Sequence, residues 1–325
     1  MVRDQFCKAT IAALAVTVGA LVLVPTASAN ITLTVGKAAA NADPIIPVDV
    51  GYQLGIFKKH GLDVKIVTFQ GGSKMAQAMA AGAIDIGDGA GTEMALVAKG
   101  VPMRAVCESA STFPFLAIGV PWDSPIKTVK ELEGKKLGIS SAGSLTDWLT
   151  RELESKEGWG PDSIKQVAIG NGAAGIVAAF RDHLVDADIG ETALFLNMAD
   201  KKTGRLLIRV SDFEGSVASG TLYASNHLIE TDPNAIRTFL AAWLDTLDYI
   251  RAHKAETVKI ESRVTGNPED VESKDYDLTI GMLTKTCKFD PQALATLSRS
   301  FVELKILAAP PDMSKLYTEA YLPKR

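Results

Sequence analysis

The sequence predicts an α/β protein built as two similar lobes, each a mostly parallel sheet flanked by helices. Three observations carry this expectation. Short strand and helix signals alternate from residue 31 to about residue 224, the signature of βαβ units around a parallel sheet. A loop–helix–strand segment beginning at Gly72 returns at Gly175. After Tyr223 the alternation gives way to amphipathic helices.

The first residues stand outside this plan. Arg3 and Lys8 flank a short polar start, Ala9–Val24 carries no charge, and Pro25 precedes Ala27-Ser28-Ala29. That is the layout of a signal peptide, so residues 1–29 are expected to be removed after Ala29. The apolar run is shorter than the roughly 20 residues that a membrane span needs. Cys7 precedes the run, so no lipoprotein cysteine stands at the cleavage point. A soluble periplasmic protein is the expectation. Cleavage takes Arg3, Asp4 and Lys8 and leaves 32 basic and 37 acidic residues. With no basic run of five or more, the electrostatic footprint of a nucleic-acid binder is missing. Export permits a disulfide between Cys107 and Cys287. Two buried free thiols are the commoner outcome, and the spacing does not decide.

Ile31–Val35 alternates as a strand and ends in the small-residue loop Lys37–Pro44. Val64–Phe69 reads as a strand broken by Gly71-Gly72-Ser73, Lys74–Ala81 as a helix closed by Gly82, and Ala83–Ile86 as a short buried strand. Thr92 is expected to cap a helix over Glu93–Lys99 that Gly100 ends. Met103–Cys107 is the next strand. A second round follows. Thr128 caps a short helix, Lys135–Ser140 is a strand, and Ser141-Ala142-Gly143-Ser144 leads into a helix over Leu145–Lys156. Ile164–Ile169 is a strand, followed by a glycine-rich loop and a helix over Ile176–Leu184. In the tail, Pro233–His253 places Ile236, Leu240, Trp243, Leu247 and Ile250 at helical spacing, a core stripe. Further helices are expected at Pro268–Leu283, Pro291–Lys305 and Met313–Tyr321.

The internal echo aligns Asp85-Ile86-Gly87-Asp88 with Asp188-Ile189-Gly190-Glu191, an offset of 103 residues. Between them, Gly170-Asn171-Gly172-Ala173-Ala174-Gly175 is a literal G-x-G-x-x-G with Glu191 about twenty residues on, the pattern of a dinucleotide site. The short helix, the mid-chain position and export weigh against a cofactor, so none is expected. Bare amides at a helix start still hold an anion or a polar ligand edge. Gly87–Thr92 is a near miss of the same pattern. Ser140–Ser144 is a third such loop, which either binds a carboxylate, sulfonate or phosphonate or is capped by Ser144. G-x-S-x-G, H-E-x-x-H, C-x-x-C and P-loop motifs are missing. His60, His183, His227 and His253 are dispersed. Neither a catalytic set nor a metal site is expected.

Three stretches together resemble the nitrate/sulfonate/taurine-type periplasmic binding proteins of ABC importers: Gly55–Val64, Ala80–Gly87 and Val129–Gly138. The resemblance covers essentially the whole chain after residue 29. It implies the two-lobed periplasmic-binding-protein fold, joined by two crossover strands, with a small molecule in the cleft and a membrane permease as partner. The protein itself is expected to be a monomer and not an enzyme. Lobe one is expected at 30–117 plus 219–325 and lobe two at 118–218, with hinges at Ala117–Pro121 and Ser216–Thr221. Ligands in open α/β sheets sit beyond the carboxyl ends of strands. That rule nominates Asn41, Asp43, Gly71, Gly72, Ser73, Asp88, Gly89, Gly91, Thr92, Ser111 and Thr112 from lobe one. From lobe two it nominates Ser140, Ser141, Gly143, Ser144, Asn171, Gly172, Glu191 and Thr192. Phe113 and Phe115 either stack on the ligand or are buried. Asp43, Asp88, Glu93, Glu108 and Glu191 lie in or near these loops and no Lys or Arg clearly does after Lys37. A neutral, zwitterionic or nitrogen-rich ligand such as a pyrimidine is therefore as credible as a sulfonate or a carboxylate. The alternatives are a pyrimidine-synthesis enzyme on the same scaffold, whose cysteine-rich motif is missing here, and a dinucleotide-binding protein using Gly170–Gly175.

Overall fold

The computed structural model describes residues 30–324; the expected signal peptide lies outside them. The strands are β1 (Ile31–Lys37), β2 (Leu62–Thr68), β3 (Ile86–Gly89), β4 (Met103–Ala110), β5 (Leu116–Pro121), β6 (Lys136–Ile139), β7 (Lys165–Ala168), β8 (Ala187–Glu191), β9 (Gly204–Arg209) and β10 (Gly220–Ser225). They form two five-stranded sheets of matching order, β2-β1-β3-β10-β4 and β7-β6-β8-β5-β9. In each sheet one strand, β10 or β5, runs against the other four. Those two strands lie next to the points where the chain changes sheets, between Ala110 and Leu116 and between Arg209 and Gly220. The expected hinge at Ala117–Pro121 falls inside β5, which is hydrogen-bonded to β8 on one side and β9 on the other. Residues 111–115, between β4 and β5, make the connection instead.

The helices are α1 (Pro47–Gln53), α2 (Ile56–Lys59), α3 (Gly72–Ala80), α4 (Met94–Ala98), α5 (Leu145–Lys156), α6 (Ala173–Arg181), α7 (Thr192–Asp200), α8 (Asn226–Thr231), α9 (Pro233–Ala252), α10 (Lys254–Thr265), α11 (Glu269–Thr279) and α12 (Pro291–Glu303). The apolar stripe of α9 is core: Ile236, Leu240, Trp243, Leu247 and Ile250 are all buried. Helix α10 escaped the sequence reading because its buried apolar face is only Val258 and Ile260, amid Lys and Glu. The helix expected over Met313–Tyr321 is a single turn at Met313–Lys315. Beyond it Ala105 N donates to Leu316 O, which lays the tail beside β4. No described helix is long and apolar enough to cross a membrane.

The repeat is real, but its register differs from the sequence alignment. Thr34 N donates to the Asp85 carboxylate at 2.8 Å, and Lys136 N donates to the Asp186 carboxylate at 2.9 Å. Asp85 therefore matches Asp186, an offset of 101 residues. Gly36 pairs with Gly87 as Gly138 pairs with Asp188. A slip of two residues keeps every strand side chain on its own face, so the apolar pattern does not reveal it.

Cys107 on β4 is bonded to Cys287, 180 residues away, which overturns the expectation of two free thiols. Glu108 N donates to Cys287 O at 3.2 Å, so the segment before α12 runs along β4. The two Cα atoms are thereby brought to 4.5 Å, within disulfide range.

Candidate functional site: a cleft with two compartments

The carboxyl ends of β1, β3, β6 and β8 face one another across a shared cavity. The first sheet's loops contribute Ala38, Ala42, Ile45, Gly71, Gly72, Gly89, Ala90, Glu93 and Ser219. The second side contributes Phe115, Leu116, Ser140, Ser144, Leu145, Thr146, Asn171, Ile189, Gly190 and Glu191. The lips are shut. Ser73 Oγ donates to Ala142 O at 2.7 Å, Asn171 N to Gln70 Oε1 at 2.9 Å, and Asn171 Nδ2 to Ala38 O at 3.3 Å. Gly71 has φ 111°, and a Cβ there would overlap the Ser141 hydroxyl.

Beside the main cavity lies a smaller, acidic compartment. Asn41 and Asp43 wall it from the loop before α1, and Thr265, Asn267, Glu272 and Asp275 from α10, α11 and their turn. Ala173, Ala193 and Leu194 close it from the other side, while Asn171 and Glu191 line both compartments. Burial, with Asp275 and Glu191 nearby, holds the Asp43 carboxyl well above its ordinary range. Burial does the same to Glu191, aided by Asp275 and Glu272. Glu261 behind the wall is pushed up to about 8 by burial and then by Glu272 and Asp275. Asp275 rises to about 6 through burial, restrained by the hydrogen bond that Asp43 donates to it. In the main cavity burial lifts Glu93 to about 7 against the pull of the Ala90 amide, which donates to it at 2.9 Å.

The strand-end loops deliver part of the nominated set to the cleft: Gly71, Gly72, Gly89, Ser140, Ser144, Asn171 and Glu191 in the main cavity, Asn41 and Asp43 in the acidic one. Others play supporting parts. Asp88 is wholly buried behind Gly89. Its neighbour Lys37 forms an ion pair with Asp49 and donates to Ala40 O at 2.8 Å. Ser73 and Ser141 seal the lip. Gly91 packs against Ala218 and Leu297. Thr192 donates its hydroxyl to Pro114 O at 3.4 Å and its amide to Phe115 O at 2.8 Å, which pins the first crossing. Thr92 does not cap a helix; its hydroxyl donates to Glu93 at 3.3 Å, and it lines a separate surface pocket with Gly143. Ser111 lines another pocket beside Glu108, and Thr112 is exposed. Phe113 and Phe115 are both buried, and Phe115 alone of the pair reaches the cavity.

Part of the loop Ser140–Ser144 is engaged within itself. Its Gly143 amide donates to Asp147 at 2.6 Å and Ser144 Oγ donates to Ser141 O at 2.6 Å. In the G-x-G-x-x-G loop, Asn171 N is taken by Gln70 and Gly175 N by Gly172 O at 2.9 Å. Gly172 starts α6 and lines neither compartment. A Cβ at Gly170 would overlap Gln70, so that glycine serves the closed lip. The sequence reading missed Glu272 and Asp275, which sit on a charged helix that reads as solvated surface. Among the described residues, no group of three or more His, Cys, Asp and Glu is arranged to hold a metal ion.

Two sheets of matching order with a cleft at their facing strand ends define the periplasmic-binding-protein fold. The chain belongs to the NMT1/THI5-like family, whose model matches residues 44–257. It is similar in structure to the alkanesulfonate-binding protein SsuA of Xanthomonas axonopodis pv. citri bound to MOPS. That likeness has a TM-score of 0.75 and 18% identity over 90% of this chain and 99% of that one. It is also similar to the desulfurization enzyme DszB, with a TM-score of 0.62 and 16% identity over 90% of this chain and 97% of that one. A protein of Brucella abortus (strain 2308), described only as a binding protein, is 24% identical over 250 residues, 72% of this chain and 76% of its own.

Proposed function

We propose that this chain is the solute-binding component of an ABC importer, exported to the periplasm, where it closes on one small organic molecule. One observation carries the reading: a cavity at the strand ends is lined from both sheets and sealed by hydrogen bonds between their loops. A clamp of this kind favours its closed form only if the ligand touches both sides. Rotation about two short connections is the simplest way to open it. The proposed lobes are 30–117 with 219–325, and 118–218, meeting where the chain passes between sheets. A permease would then be the partner that receives the ligand. No Lys, Arg or His is among the lining residues of either compartment, which argues against a sulfonate or carboxylate and for a ligand that donates hydrogen bonds.

The test is a thermal-shift screen of sulfonates, carboxylates, amines, amino acids and pyrimidines. At a hundredfold excess over Kd the right ligand stabilises the fold by about 2.7 kcal/mol, which raises Tm by several degrees. A hit incubated with the protein should come back unchanged by mass spectrometry. Product formed over many turnovers would sink the transport reading in favour of an enzyme, the use to which DszB puts the same fold.

A further inference from the structure

The acidic compartment says what one end of the ligand must be, an inference that rests on the solute-binding reading. Three side-chain oxygens of its wall, Asn171 Oδ1, Glu191 Oε2 and Asp275 Oδ1, accept from no N–H or hydroxyl; the bond that Asp275 receives is the carboxyl-to-carboxyl one from Asp43. Asp275 is 3% exposed. The Asn171 amide is oriented by its bond to Ala38 O, which leaves its oxygen as the unused end. Several donors on the same wall are already engaged. Asn267 Nδ2 donates to Glu272 Oε1 at 2.8 Å, the Thr265 hydroxyl donates to the same oxygen, and Asn197 Nδ2 donates to Asn267 Oδ1 at 2.9 Å. Buried acceptors without donors are rare in folded proteins, and three around one small space call for an occupant rich in N–H.

We propose that this compartment binds a protonated nitrogen group, an ammonium or amidinium, at the end of a ligand whose apolar part lies among Ile45, Phe115, Leu116, Leu145 and Ile189. The two spaces are continuous in lining at Asn171 and Glu191. The titratable groups that face the compartment are Asp43 from the loop before α1, Glu191 from β8, and Glu272 and Asp275 from α11, with Glu261 of α10 behind them. All five are carboxyls. An anionic end would meet four carboxyls and no cationic side chain there. Burial and the neighbouring carboxyls raise Asp43 and Glu191, so a cation bound beside them favours their charged forms and drives proton release.

The linkage has a sign that separates ligand classes. Where the free protein holds a proton that the complex does not, affinity rises with pH, about tenfold per pH unit for each proton released. An anion that needs those protons shows the opposite slope. Calorimetry with the intact chain would use phenethylamine and benzamidine as cationic probes, and 2-phenylethanesulfonate as the matched anion. Titrations would be run at pH 6 and pH 8, each in two buffers of different ionisation heat. The amines are expected to bind, to tighten about tenfold or more from pH 6 to 8, and to release protons. Asp275→Asn and Glu191→Gln should each weaken amine binding at least tenfold while the free proteins keep their circular dichroism. Tight sulfonate binding without amine binding, amine affinity flat with pH, or amine affinity untouched by both variants would each overturn the cation assignment and leave the solute-binding reading standing. If neither these probes nor the wider screen bind at all, the solute-binding reading falls, and this inference with it.

Discussion

Asp88 near the end of β3 and Asp188 near the start of the corresponding β8 are both wholly buried, with no hydrogen-bond partner for either carboxyl. Their surroundings differ. Asp88 is opposite Lys37 in the β1–β3 pairing, and the Lys37 charge partly offsets the burial that raises its pKa. Asp188 has burial alone, with no cation to offset it. The first sheet thus keeps a charge network, Lys37 with Asp49 and Asp88, under the cavity. The second keeps an acid that burial alone shifts toward its neutral form. The same fold unit was filled twice with different chemistry, and only the first copy is further tied down, through the disulfide to Cys287.

The largest expected effect tests that asymmetry of restraint. Closing a chain segment of 180 residues restricts the unfolded state, and loss of such a native bond typically costs about 2–5 kcal/mol. Cys107→Ser with Cys287→Ser should therefore lower Tm clearly, and hydrogen exchange should rise in β4 and α12 but not in β6 or β7. A Tm unmoved by reductant would mean that the first side is not held by this link.

Next in size is the pair of buried acids. A carboxyl whose pKa is raised in the folded state holds a proton that the unfolded chain has released, so stability falls as pH climbs above about 4 toward the folded value. The slope is about 1.4 kcal/mol per pH unit for one such group. Asp188→Asn removes that loss. It should match the parent near pH 4.5 and exceed it in Tm at pH 8. Asp88→Asn should gain less at pH 8, because Lys37 already favours the charged form and loses a partner. Denaturant melts at both pH values check this, and equal destabilisation of Asp188→Asn at both would mean its carboxyl is charged and held by something else.

The parts of the fold legible in the sequence are those with one dominant local signal. Helix α5 was read over the residues it occupies, because Ser144 marks its entry and Trp148, Leu149 and Leu153 supply one apolar face. Helix α10 lacks such a face, and the tail beyond Met313 pairs with β4, a long-range event with no local mark. The cleft was half legible for a similar reason. Strand-end glycine loops announce themselves, so Gly71, Gly72, Ser140 and Asn171 were within reach. Asp275 meets Glu191 only after α11 packs against α7, and an acid on a charged helix carries no sign of burial. The glycine loop that mimics a dinucleotide site was legible as a loop, and the structure shows what occupies its amide: Gln70 from the facing loop.

The smallest effect concerns the glycine that each copy places opposite its β3 or β8 partner. Gly36 pairs with Gly87, and a Cβ there would sit 3.0–3.2 Å from the side chains of Ile84, Met75 and Phe69. At that separation the neighbours need give by only a few tenths of an ångström. Gly138 pairs with Asp188, and a Cβ there would overlap the Asp188 carboxyl and come within 2.8 Å of Ile169. The buried acid thus occupies the space that a side chain at 138 would need, and it is fixed at the start of β8, between β5 and β6. Overpacking of this kind costs about 1–3 kcal/mol, so Gly138→Ala should destabilise by roughly that amount and Gly36→Ala by less. The double variant Gly138→Ala with Asp188→Gly rebuilds in the second sheet the glycine that the first has at 87, and should recover part of the loss. Urea melts of the parent, the two single variants and the double variant give the coupling directly. If Gly138→Ala costs the same in the parent as in the Asp188→Gly background, the carboxyl is not what fills that space, and the contrast between the two copies at this position fails.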